Sequence, residues 1–519
     1  MPTTTPNSHE IAETHLTTLY RCEQIRSIEL DAKKRLPSGA LMRAAGIAAT
    51  RLALSLLSHK KGRVLILAGA GDNGGDALET AHQLAKESID VHIILLGHGE
   101  NYSTEANQSL QRAKQSKLHW TSVEECKNHP LTYWDLIIDG LFGIGLNSAI
   151  EGDAADLIQL INLHNHQQKT PVLSLDVPSG LNADTGQLFA GKEIAIRATH
   201  TLSFIANKVG LHTAKAKDYA GQVLTDSLSL DQTTYPAPYA HLLTERSFKL
   251  RMAERQQDSH KGSYGEVLII GGSTGMVGAP ILAGRAALLC GSGRVYLGMI
   301  DKQFPALDIV HPELMIASAQ SSNLVRPVVV IGPGLSTSED ARDILQKTLQ
   351  ESHTLVIDAD ALNLIAVHEE LKNLVRLRAQ KKWRTILTPH PLEAARLLGA
   401  TVEEIQADRC KAAENLASNF QACVVLKGAG SIIADSTSIW INSSGNASLA
   451  TAGTGDVLAG VCAAMLAQGL SSTHAACLAV YLHGKAADNC LVNGLGPVGL
   501  TASELIPAIR TALNAIQKT

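Results

Sequence analysis

Short apolar runs that end in glycine, aspartate or proline alternate with amphipathic stretches along most of the chain. The first series comprises RVLILAG, VHIILLG, LIIDGLFG and PVLSLDVPSG, at residues 63–69, 91–97, 136–143 and 171–180. Between the first two runs, DALETAHQLAKES (76–88) has helical periodicity. This strand–helix alternation predicts a mostly parallel sheet, in which ligands bind at the carboxyl ends of the strands.

A second series of the same kind occupies the later half of the chain. Its runs are EVLIIGGS, RPVVVIGPG, HTLVIDADAL, RTILTPHP and ACVVLKGAG, at residues 266–273, 326–334, 353–362, 384–391 and 422–430. A glycine cluster then opens a long Ala-rich helix within 449–469. Residues between the two series mix Pro, Thr and Tyr without a clear period, which is typical of a linker. We therefore predict an α/β protein with a flexible tail at 1–14, domains at 15–230 and 247–519, and a linker at 231–246.

Composition and charge narrow the class of protein. A chain of 519 residues is long enough for two domains. Its 49 acidic and 45 basic residues leave no electrostatic footprint for nucleic acid or an anionic membrane, and no apolar stretch is long enough for a membrane span. The eight cysteines are scattered without a CxxC pair, so we expect buried, reduced thiols. We expect a cytoplasmic homo-oligomer that binds neither nucleic acid nor membrane.

The loop AGAGDNGGDAL (68–78) has GxGxxG spacing at Gly69, Gly71 and Gly74. A dinucleotide-binding loop of this kind is followed, about 20 residues later, by an acid at the end of the next strand. VHIILLG ends without one, and two acids, Asp72 and Asp76, lie inside the loop instead. These acids argue against a pyrophosphate clamp. A glycine-rich turn in which Asp76 caps the following helix is the structural alternative.

Polar side chains follow three strands of the first series. Asn73, Asp139 and Ser179 offer amide, carboxylate and hydroxyl oxygens at strand ends that converge in a parallel sheet. Hard oxygen ligands of low total charge suit an alkali cation better than zinc or copper. Asp176 would remain beside them as a proton acceptor. Taken singly, each of these residues can also be a turn or capping residue.

The strongest chemical signal of the second half is TAGTGDVLAG (451–460). The backbone amides of Gly453, Thr454 and Gly455 at a helix start would form an anion hole for a phosphate. Asp456 follows directly and is placed to take a proton from an attacking hydroxyl, with helix capping as the alternative.

Three further loops of the second half follow directly after predicted strands. KGAGS (427–431) offers more amides and Lys427 for a second phosphate contact. TPHPLEAARLL (388–398) places His390 at a strand end, where a functional and a structural role are both open. DADALN (358–363) puts Asp358 and Asp360 where a magnesium–phosphate complex or its waters would lie, although capping competes with that role.

The motifs of the first half carry a family resemblance. AGAGDNGGDAL, IIDGLFGIGL and LDVPSGLNADTG, with LMRAAG (41–46) and ANKVGL (206–211), resemble the YjeF N-terminal family, the NAD(P)H-hydrate epimerases. The resemblance covers residues 15–230 and implies a Rossmann-like three-layer α/β/α domain. It implies Asp176 as a catalytic substrate contact and Asn73, Asp139 and Ser179 as ligands of K⁺. The implied substrate site is lined by Asp72, Asn73, Gly74, Gly75, Asp76, Gly143, Ile144, Gly145, Leu146, Asn147, Ser148 and Ala149.

The second half resembles the ribokinase-like superfamily through GTGD. KGSYGEVLIIGGSTGMVGAPILAGRAAL (261–288), GPGL (332–335) and the three loops above narrow this to the YjeF C-terminal family, the NAD(P)H-hydrate dehydratases, over about 250–515. The resemblance implies a ribokinase-like α/β/α domain with Asp456 as the catalytic base, Mg²⁺, and ADP as co-substrate. The implied substrate contacts are Ala279, Gly334, His390 and Asp456, and the implied nucleotide contacts are Lys427, Gly428, Ala429, Gly430, Ser431 and Gly455.

Together the two resemblances imply a bifunctional nicotinamide nucleotide repair enzyme. The first half would interconvert the R and S forms of NAD(P)H-hydrate, and the second would dehydrate the S form at the expense of ADP, giving AMP and phosphate. Phosphate leaves far more readily than hydroxide, which explains why a nucleotide would be consumed. In the alternatives, the second half is a small-molecule (vitamin alcohol) kinase, or the first half is a non-catalytic nucleotide-binding module.

Overall fold

The computed structural model of the chain describes residues 17–57, 62–97, 102–128, 134–189, 193–248, 255–321 and 326–518. It divides into two units, one of residues Thr18–Ala240 and the other containing His241–Thr519. The dividing point falls inside the segment predicted as a linker, and the bounds of our predicted domains remain a proposal. The predicted tail at residues 1–14 lies outside the described residues.

The elements up to residue 226 alternate as the apolar pattern predicts. In chain order they are β1 (Thr17–Leu19), α1 (Cys22–Lys33), α2 (Ala40–Leu56), β2 (Arg63–Ala68), α3 (Asp72–Lys86), β3 (Asp90–Leu95), α4 (Thr104–Lys114), β4 (His119–Thr121), α5 (Val123–Asn128), β5 (Leu136–Gly140), α6 (Gly152–Gln168), β6 (Val172–Leu175), β7 (His200–Phe204), α7 (Ala216–Tyr219) and β8 (Gln222–Asp226).

The sheet of the first unit runs β4-β3-β2-β5-β6-β7-β8, with every neighbouring pair parallel. Alternate residues of β2 enter two separate cores. Val64 and Ile66 pack in a core with residues of α1, α2 and α3, whereas Leu65 and Leu67 pack in another with residues of α6. A strand covered on both faces must be apolar throughout, which is why RVLILAG is a continuous apolar run.

The second unit repeats this arrangement with a larger sheet. Its elements are β9 (Ala240–Leu243), β10 (Glu266–Gly271), α8 (Gly278–Leu289), β11 (Arg294–Met299), β12 (Met315–Ser318), β13 (Val328–Ile331), α9 (Glu339–Glu351), β14 (Thr354–Ile357), α10 (Ala359–Val367), α11 (Glu369–Gln380), β15 (Arg384–Leu387), α12 (Pro391–Leu398), α13 (Val402–Ala407), α14 (Arg409–Phe420), β16 (Cys423–Leu426), β17 (Ile432–Ala434), β18 (Ile439–Asn442), α15 (Thr454–Ala467), α16 (Ser472–Val492) and α17 (Ala502–Lys518).

Within this unit the strand order is β9-β18-β17-β16-β15-β14-β13-β10-β11-β12. The strands are parallel except that β17 runs antiparallel to both β16 and β18. Helices α8, α15, α16 and α17 contribute most of the core on one face of the sheet. The predicted fold class, two α/β domains built on largely parallel sheets, is confirmed.

Each sheet has a point at which the chain reverses its direction of winding. In the first unit β2 lies between β3 and β5, so the chain winds outward on either side of the β2–β5 pair. In the second unit β10 lies between β11 and β13 in the same way. Such switch points open a crevice at the carboxyl ends of the strands, and ligands of open α/β sheets bind there.

The helix starts decide two of the alternatives left open by the sequence. Helix α3 has Gly71 as its N-cap, and Asp76 lies a full turn inside the helix. Helix α15 has Gly453 as its N-cap, in a left-handed conformation (φ 87°), with Asp456 in the first turn. Neither aspartate is therefore an N-cap, and the capping interpretation of both was wrong.

Two expectations from composition can be compared with the structure. All eight cysteines are buried, and none of them forms a disulfide. Across the described ranges, the helices lack the combination of length and apolar character that a membrane crossing needs.

Candidate functional sites

A cavity of about 510 Å³ lies at the switch point of the first unit. Of the residues predicted to line a substrate site, it is lined by Asp72, Asn73, Asp76, Gly143, Ile144, Gly145, Leu146, Asn147 and Asp176. Ser148 is exposed and Ala149 half-buried, and neither belongs to the cavity wall. The remaining predicted members, Gly74 and Gly75, are buried behind the wall.

These two glycines are packing residues. A Cβ atom on Gly74 would overlap the backbone of Gly69, and one on Gly75 would come within 2.6 Å of Met42 Cε. By contrast, a Cβ atom on Gly71 would meet nothing within 4 Å. The GxGxxG spacing therefore lets α3 approach the end of β2 closely, as the third glycine of such a motif does in general.

The three predicted cation ligands come together at the ends of β2, β5 and β6. Asp139 is fully buried (0% exposed) and accepts hydrogen bonds from Ser179 Oγ (2.6 Å), Ser179 N (2.9 Å) and Ser174 Oγ (2.8 Å). Burial raises the pKa of Asp139, and these hydrogen bonds act in the opposite direction. The carboxylate is thus held in place by short bonds to its neighbours.

Asn73 contributes an unsatisfied oxygen to this cluster. The side chain is only 7% exposed, and its Nδ2 donates to the carbonyl oxygen of Phe142 at 3.0 Å. Its Oδ1 is buried and has no hydrogen-bond partner within the described part of the chain. Leaving a buried amide oxygen without a partner destabilises the folded state by about 1–3 kcal/mol, so a bound ligand is expected at this atom.

Asp176 occupies the turn after β6 in a left-handed conformation (φ 64°). Its Oδ1 accepts from Lys208 Nζ at 2.6 Å and from the backbone N–H of Phe204 at 3.1 Å. Lys208 is fully buried (0% exposed), whereas Asp176 is 14% exposed and faces the cavity. A strained backbone held by a buried ion pair is typical of a functional site.

Lys208 is one of the residues at these sites that the sequence did not single out. Its ammonium group also donates to Ser203 Oγ (2.9 Å) and to the carbonyl oxygen of Phe204 (3.2 Å). These partners account for all three of its protons. The only available signal was its place in the ANKVGL motif.

A second group of charged residues lies at the ends of β14, β15 and β16 in the other unit. Lys427 Nζ donates to Asp358 Oδ1 at 2.8 Å and lies 3.8 Å from Glu393 Oε2. A Cβ atom on Gly455 would lie 3.5 Å from the same Nζ, which places the first turn of α15 beside this lysine. Asp358 holds the N-cap position of α10 but makes no side-chain cap bond, so its carboxylate serves Lys427 instead.

Asp456 shares the electrostatic environment of this group. Burial, and then the negative charge of Asp358, raises the pKa of Asp456 to about 7, while Lys427 acts in the opposite direction. A carboxyl group whose pKa is near neutrality can accept and return a proton at physiological pH. The structure therefore brings Asp456, Lys427 and Gly455 together, and their predicted roles stay a prediction.

His390 has a structural role whatever else it does. Its Nδ1 accepts from the backbone N–H groups of Leu392 and Glu393 (3.1 and 3.2 Å) and so caps α12. Its Nε2 lies 3.3 Å from Glu393 Oε1, and burial lowers the pKa of the imidazole. The sequence missed Glu393, a buried carboxyl whose pKa is raised by burial to about 7.

The KGAGS loop is supported from below by a buried arginine. Arg409 donates to the carbonyl oxygens of Leu426 and Lys427 at 3.3 and 3.2 Å. Gly428 has φ 146°, and a Cβ atom there would come within 2.6 Å of the guanidinium group. Ser431 Oγ accepts from Gly428 N at 3.2 Å and closes the turn that also contains Ala429 and Gly430.

Ala279 and Gly334 meet at the switch point of the second unit. Gly334 follows β13 with φ 59°, and a Cβ atom on it would lie 3.4 Å from Ala279 Cβ. Ala279 is in the first turn of α8, which packs against α15, the helix that carries Asp456. All four predicted substrate contacts of this unit thus lie at strand ends or at helix starts around one edge of the sheet.

One cluster of ligand-type side chains lies away from both sites. Asp90 Oδ1 is 3.2 Å from His92 Nε2 and 3.5 Å from His119 Nε2, at the amino ends of β3 and β4. Arg63 Nε lies 3.3 Å from Asp90 Oδ2, and its Nη2 lies 3.4 Å from His92 Nε2. The guanidinium group thus already supplies a cation to this cluster.

Comparison with known proteins places the chain in a family. Residues 38–210 match the family model described as YjeF-related protein N-terminus, and residues 267–510 match the model described as NAD(P)H-hydrate dehydratase. The bifunctional NAD(P)H-hydrate repair enzyme Nnr of Coxiella burnetii is 36% identical over 510 residues, covering 96% of this chain and 100% of that protein. The chain belongs to the family of bifunctional NAD(P)H-hydrate repair enzymes.

Two further relatives show that the similarity extends over both halves. The Nnr protein of Escherichia coli is 35% identical over 510 residues, which cover 96% of this chain and 94% of that protein. The ADP-dependent (S)-NAD(P)H-hydrate dehydratase of Neisseria meningitidis is 44% identical over 272 residues, covering 51% of this chain and 90% of that protein. The family resemblance read from the motifs is thus confirmed along the full length.

Proposed function

We propose that the chain repairs hydrated nicotinamide nucleotides in two steps, one in each unit. The first unit interconverts the R and S forms of NAD(P)H-hydrate, and the second dehydrates the S form to NAD(P)H with consumption of ADP. The observation that carries this proposal is the presence of two separate sites in which a lysine-paired carboxylate lies beside a second carboxyl group, Asp176 with Lys208 and Asp358 with Lys427.

In the first unit, Asp176 is the proton acceptor of the epimerase. Epimerisation at a carbon that bears a hydroxyl group next to a ring nitrogen needs proton transfer and a polar surround, and no hydride donor. Oδ1 of Asp176 is occupied by Lys208 and by the Phe204 N–H, so the other oxygen is left to face substrate in the cavity. We assign the rest of the cavity wall, Asp72 and residues 143–147 above all, to holding the nucleotide.

A potassium ion fits the cluster behind this cavity. The buried, unpaired Oδ1 of Asn73 is an amide oxygen of the kind an alkali cation prefers, and Asp139 and Ser179 add a carboxylate and a hydroxyl. When bound, K⁺ would contribute fixed positive charge beside the loop that follows β5. We propose these three residues as its ligands.

The potassium assignment has a test that does not depend on activity. Potassium chloride should raise the unfolding temperature of the wild-type chain relative to tetramethylammonium chloride, because a ligand that binds only the folded state stabilises it. Asn73→Ala should abolish that difference. An equal rise in both chains would contradict the assignment.

In the second unit, the phosphoryl group is transferred from the nucleotide to the oxygen of the ring hydroxyl group. Asp456 takes the proton of that hydroxyl group during the transfer. The amides at the start of α15 and of the KGAGS loop hold the nucleotide phosphates, with Lys427 as the charged contact. ADP as the co-substrate follows the printed name of the dehydratase from Neisseria meningitidis. Departure of phosphate, together with loss of a proton from the neighbouring ring carbon to solvent, then restores the ring double bond.

A magnesium ion fits the acidic side of this site. The charges of Asp358, Asp360 and Glu393 act to raise the pKa of Asp456, and the charge of Lys427 acts against them, so acidic groups outnumber the lysine in this cluster. Carboxylate oxygens are ligands that Mg²⁺ prefers beside nucleotide phosphates. Asp358 and Asp360 would hold the ion, which would neutralise charge on the phosphates.

A single assay tests both steps. The chain is mixed with an R,S mixture of NADH-hydrate, Mg²⁺ and ADP, and absorbance of reduced nicotinamide is followed. Complete conversion to NADH is expected, because epimerisation supplies the S form as it is consumed. Conversion that stops at the S fraction would contradict the epimerase. A stable phosphorylated product without NADH would contradict the dehydratase and support a small-molecule kinase.

A further inference from the structure

The cavity of the first unit contains two carboxyl groups in different environments. Asp176 forms an ion pair with Lys208 and accepts a backbone hydrogen bond. The Asp76 carboxyl lines the same cavity, and within the described part of the chain it has neither a hydrogen-bond nor an ion-pair partner. Two carboxyl groups that share a site but differ in environment are a recurring arrangement for acid–base catalysis.

The two groups reach the cavity from different elements at the edge of the sheet. Asp76 lies on α3, which follows β2, and Asp176 follows β6, with β5 between the two strands. Neighbouring strands are about 4.8 Å apart, so the ends of β2 and β6 are separated by roughly 10 Å. Elements that far apart can present one carboxyl group to each face of a substrate ring bound between them.

We propose that Asp76 and Asp176 act as an acid–base pair that replaces the ring hydroxyl by a water molecule arriving on the opposite face, with Lys208 as the residue that positions Asp176. The inference rests on the proposed epimerase function. It extends that function by naming a second catalytic carboxyl group and the bond that breaks.

In one direction, the protonated Asp76 donates its proton to the hydroxyl oxygen of the hydrated ring. The C–O bond breaks and its electron pair leaves with the oxygen as water, while the lone pair of the ring nitrogen forms a C=N bond. A second water then attacks the carbon on the other face, the Asp176 carboxylate takes its proton, and the C=N electrons return to nitrogen. The product is the other epimer, with Asp76 ionised and Asp176 protonated.

The reverse reaction uses the same two groups with their roles exchanged. The pair carries one proton in both directions, on Asp76 for one epimer and on Asp176 for the other, so the total number of protons on the enzyme is the same for both. The equilibrium between epimers fixes the ratio of the two kcat/KM values, so loss of either carboxyl group must slow both directions by the same factor.

The charges that face Asp76 favour its role as the proton donor. Burial, followed by the negative charges of Asp176, Asp72 and Glu29, raises the pKa of Asp76 well above its usual value. Lys33 is the cation that acts in the opposite direction, and it is already paired with Glu29 at 2.6 Å. A raised pKa keeps the proton on Asp76 until substrate needs it.

The first test needs no variant. The wild-type chain is given the R form in H₂¹⁸O without nucleotide, and the S product of early turnovers is analysed by mass spectrometry. One ¹⁸O atom per epimerised molecule is expected, because the hydroxyl oxygen leaves and a solvent oxygen returns. Product that retains the original oxygen would overturn the proposal in favour of ring opening at the C–N bond.

The second test uses Asp76→Asn and Asp176→Asn, with Asp90→Asn as the matched control from the opposite end of the sheet. Each of the first two should lower the epimerase kcat by about 10²–10⁴-fold in both directions, the usual contribution of a general acid or base. The epimerase kcat of the double variant should be about as low as that of the more impaired single variant and no lower, because the pair acts as a unit. The control should keep full epimerase activity, and dehydration of pure S substrate should be unchanged in all four chains.

The outcomes separate this inference from the function on which it rests. If the wild-type chain does not interconvert the epimers, the proposed function fails. If it does, and Asp76→Asn keeps kcat within about three-fold of the wild type, the function stands and the acid–base pair is overturned, since a general acid contributes far more than that.

Discussion

The helices α3 and α15 begin in similar ways and use their glycines differently. Both follow a glycine-rich loop at the carboxyl edge of a sheet and carry an aspartate near the start. Gly74 of α3 is pressed against the backbone of Gly69, whereas a Cβ atom on Gly455 of α15 would point toward Lys427 Nζ. A glycine whose added Cβ atom would meet backbone is therefore a packing residue. A glycine whose added Cβ atom would meet a functional side chain faces the site.

The two sites also share a charge arrangement and differ in the exposure of one lysine. In each, a lysine pairs with one carboxylate while burial raises the pKa of a second carboxyl group, Asp76 in the first unit and Asp456 in the second. Lys208 is fully buried, whereas the Lys427 side chain is 19% exposed. A sealed lysine can only position its partner, and an accessible one can also contact a phosphate.

The largest effect is expected from Asp456→Asn. An amide cannot take the proton of the ring hydroxyl, so recovery of NADH from the S form should fall by about 10²–10⁴-fold. Exchange between R and S forms, followed by chromatography, should remain at the wild-type rate. Loss of both activities would contradict two independent sites.

The difference between the lysines can be tested with Lys208→Met and Lys427→Met. Lys208→Met should lower the epimerase kcat by about 10-fold or more with little change in KM, since it acts through Asp176. Lys427→Met should chiefly raise the KM for ADP, because it removes a phosphate contact. Steady-state kinetics of each reaction check both expectations.

The control for Lys208→Met addresses stability. Removing one partner of a buried ion pair costs about 3–5 kcal/mol, because the other charge is left uncompensated. The double variant Lys208→Met, Asp176→Asn should recover much of that loss in thermal unfolding while staying inactive as an epimerase. Recovery of activity together with stability would contradict the assignment of Asp176.

Much of the fold could be predicted, because each buried parallel strand is a continuous apolar run. RVLILAG and EVLIIGGS correspond to β2 and β10 within one or two residues. The predicted start of helix α3 was less accurate. The helix begins at Asp72, four residues before the predicted start, because its N-cap is Gly71, which has no side chain. Glycine and polar residues at such a start give no apolar pattern to follow.

The positions of candidate-site residues could be predicted where a local motif marks a strand end or a helix start, as for Asp139 and Asp456. Lys208 could not, because its burial depends on Asp176, 32 residues earlier, and on the carbonyl groups of the turn after β7. Glu393 resembles an ordinary acid in a first helical turn. Its functional setting comes from Lys427, which follows the neighbouring strand β16.

A smaller effect is expected from glycine substitutions in the first loop. Gly74→Ala should destabilise the first unit by about 1–3 kcal/mol, because a methyl group there has to displace backbone. Gly71→Ala, in the same motif, should cost less than about 1 kcal/mol, since nothing lies within 4 Å of the added carbon. Denaturant unfolding compares the two, and equal losses would contradict a packing role for the motif.

The smallest effect is a shift in the pH dependence of dehydration. Asp456 must be ionised to accept a proton, so kcat/KM should rise with pH through about 7, the value to which burial and Asp358 raise its pKa. Glu393 also raises that pKa, so Glu393→Gln should move the rise to lower pH by less than about one unit. The pKa of Glu393 is itself raised to about 7, by burial first of all, so the variant also decides which group is observed. If the rise of kcat/KM with pH disappears in Glu393→Gln, the proton acceptor is Glu393. Asp456 would then no longer correspond to Asp76 as the second carboxyl group of its site.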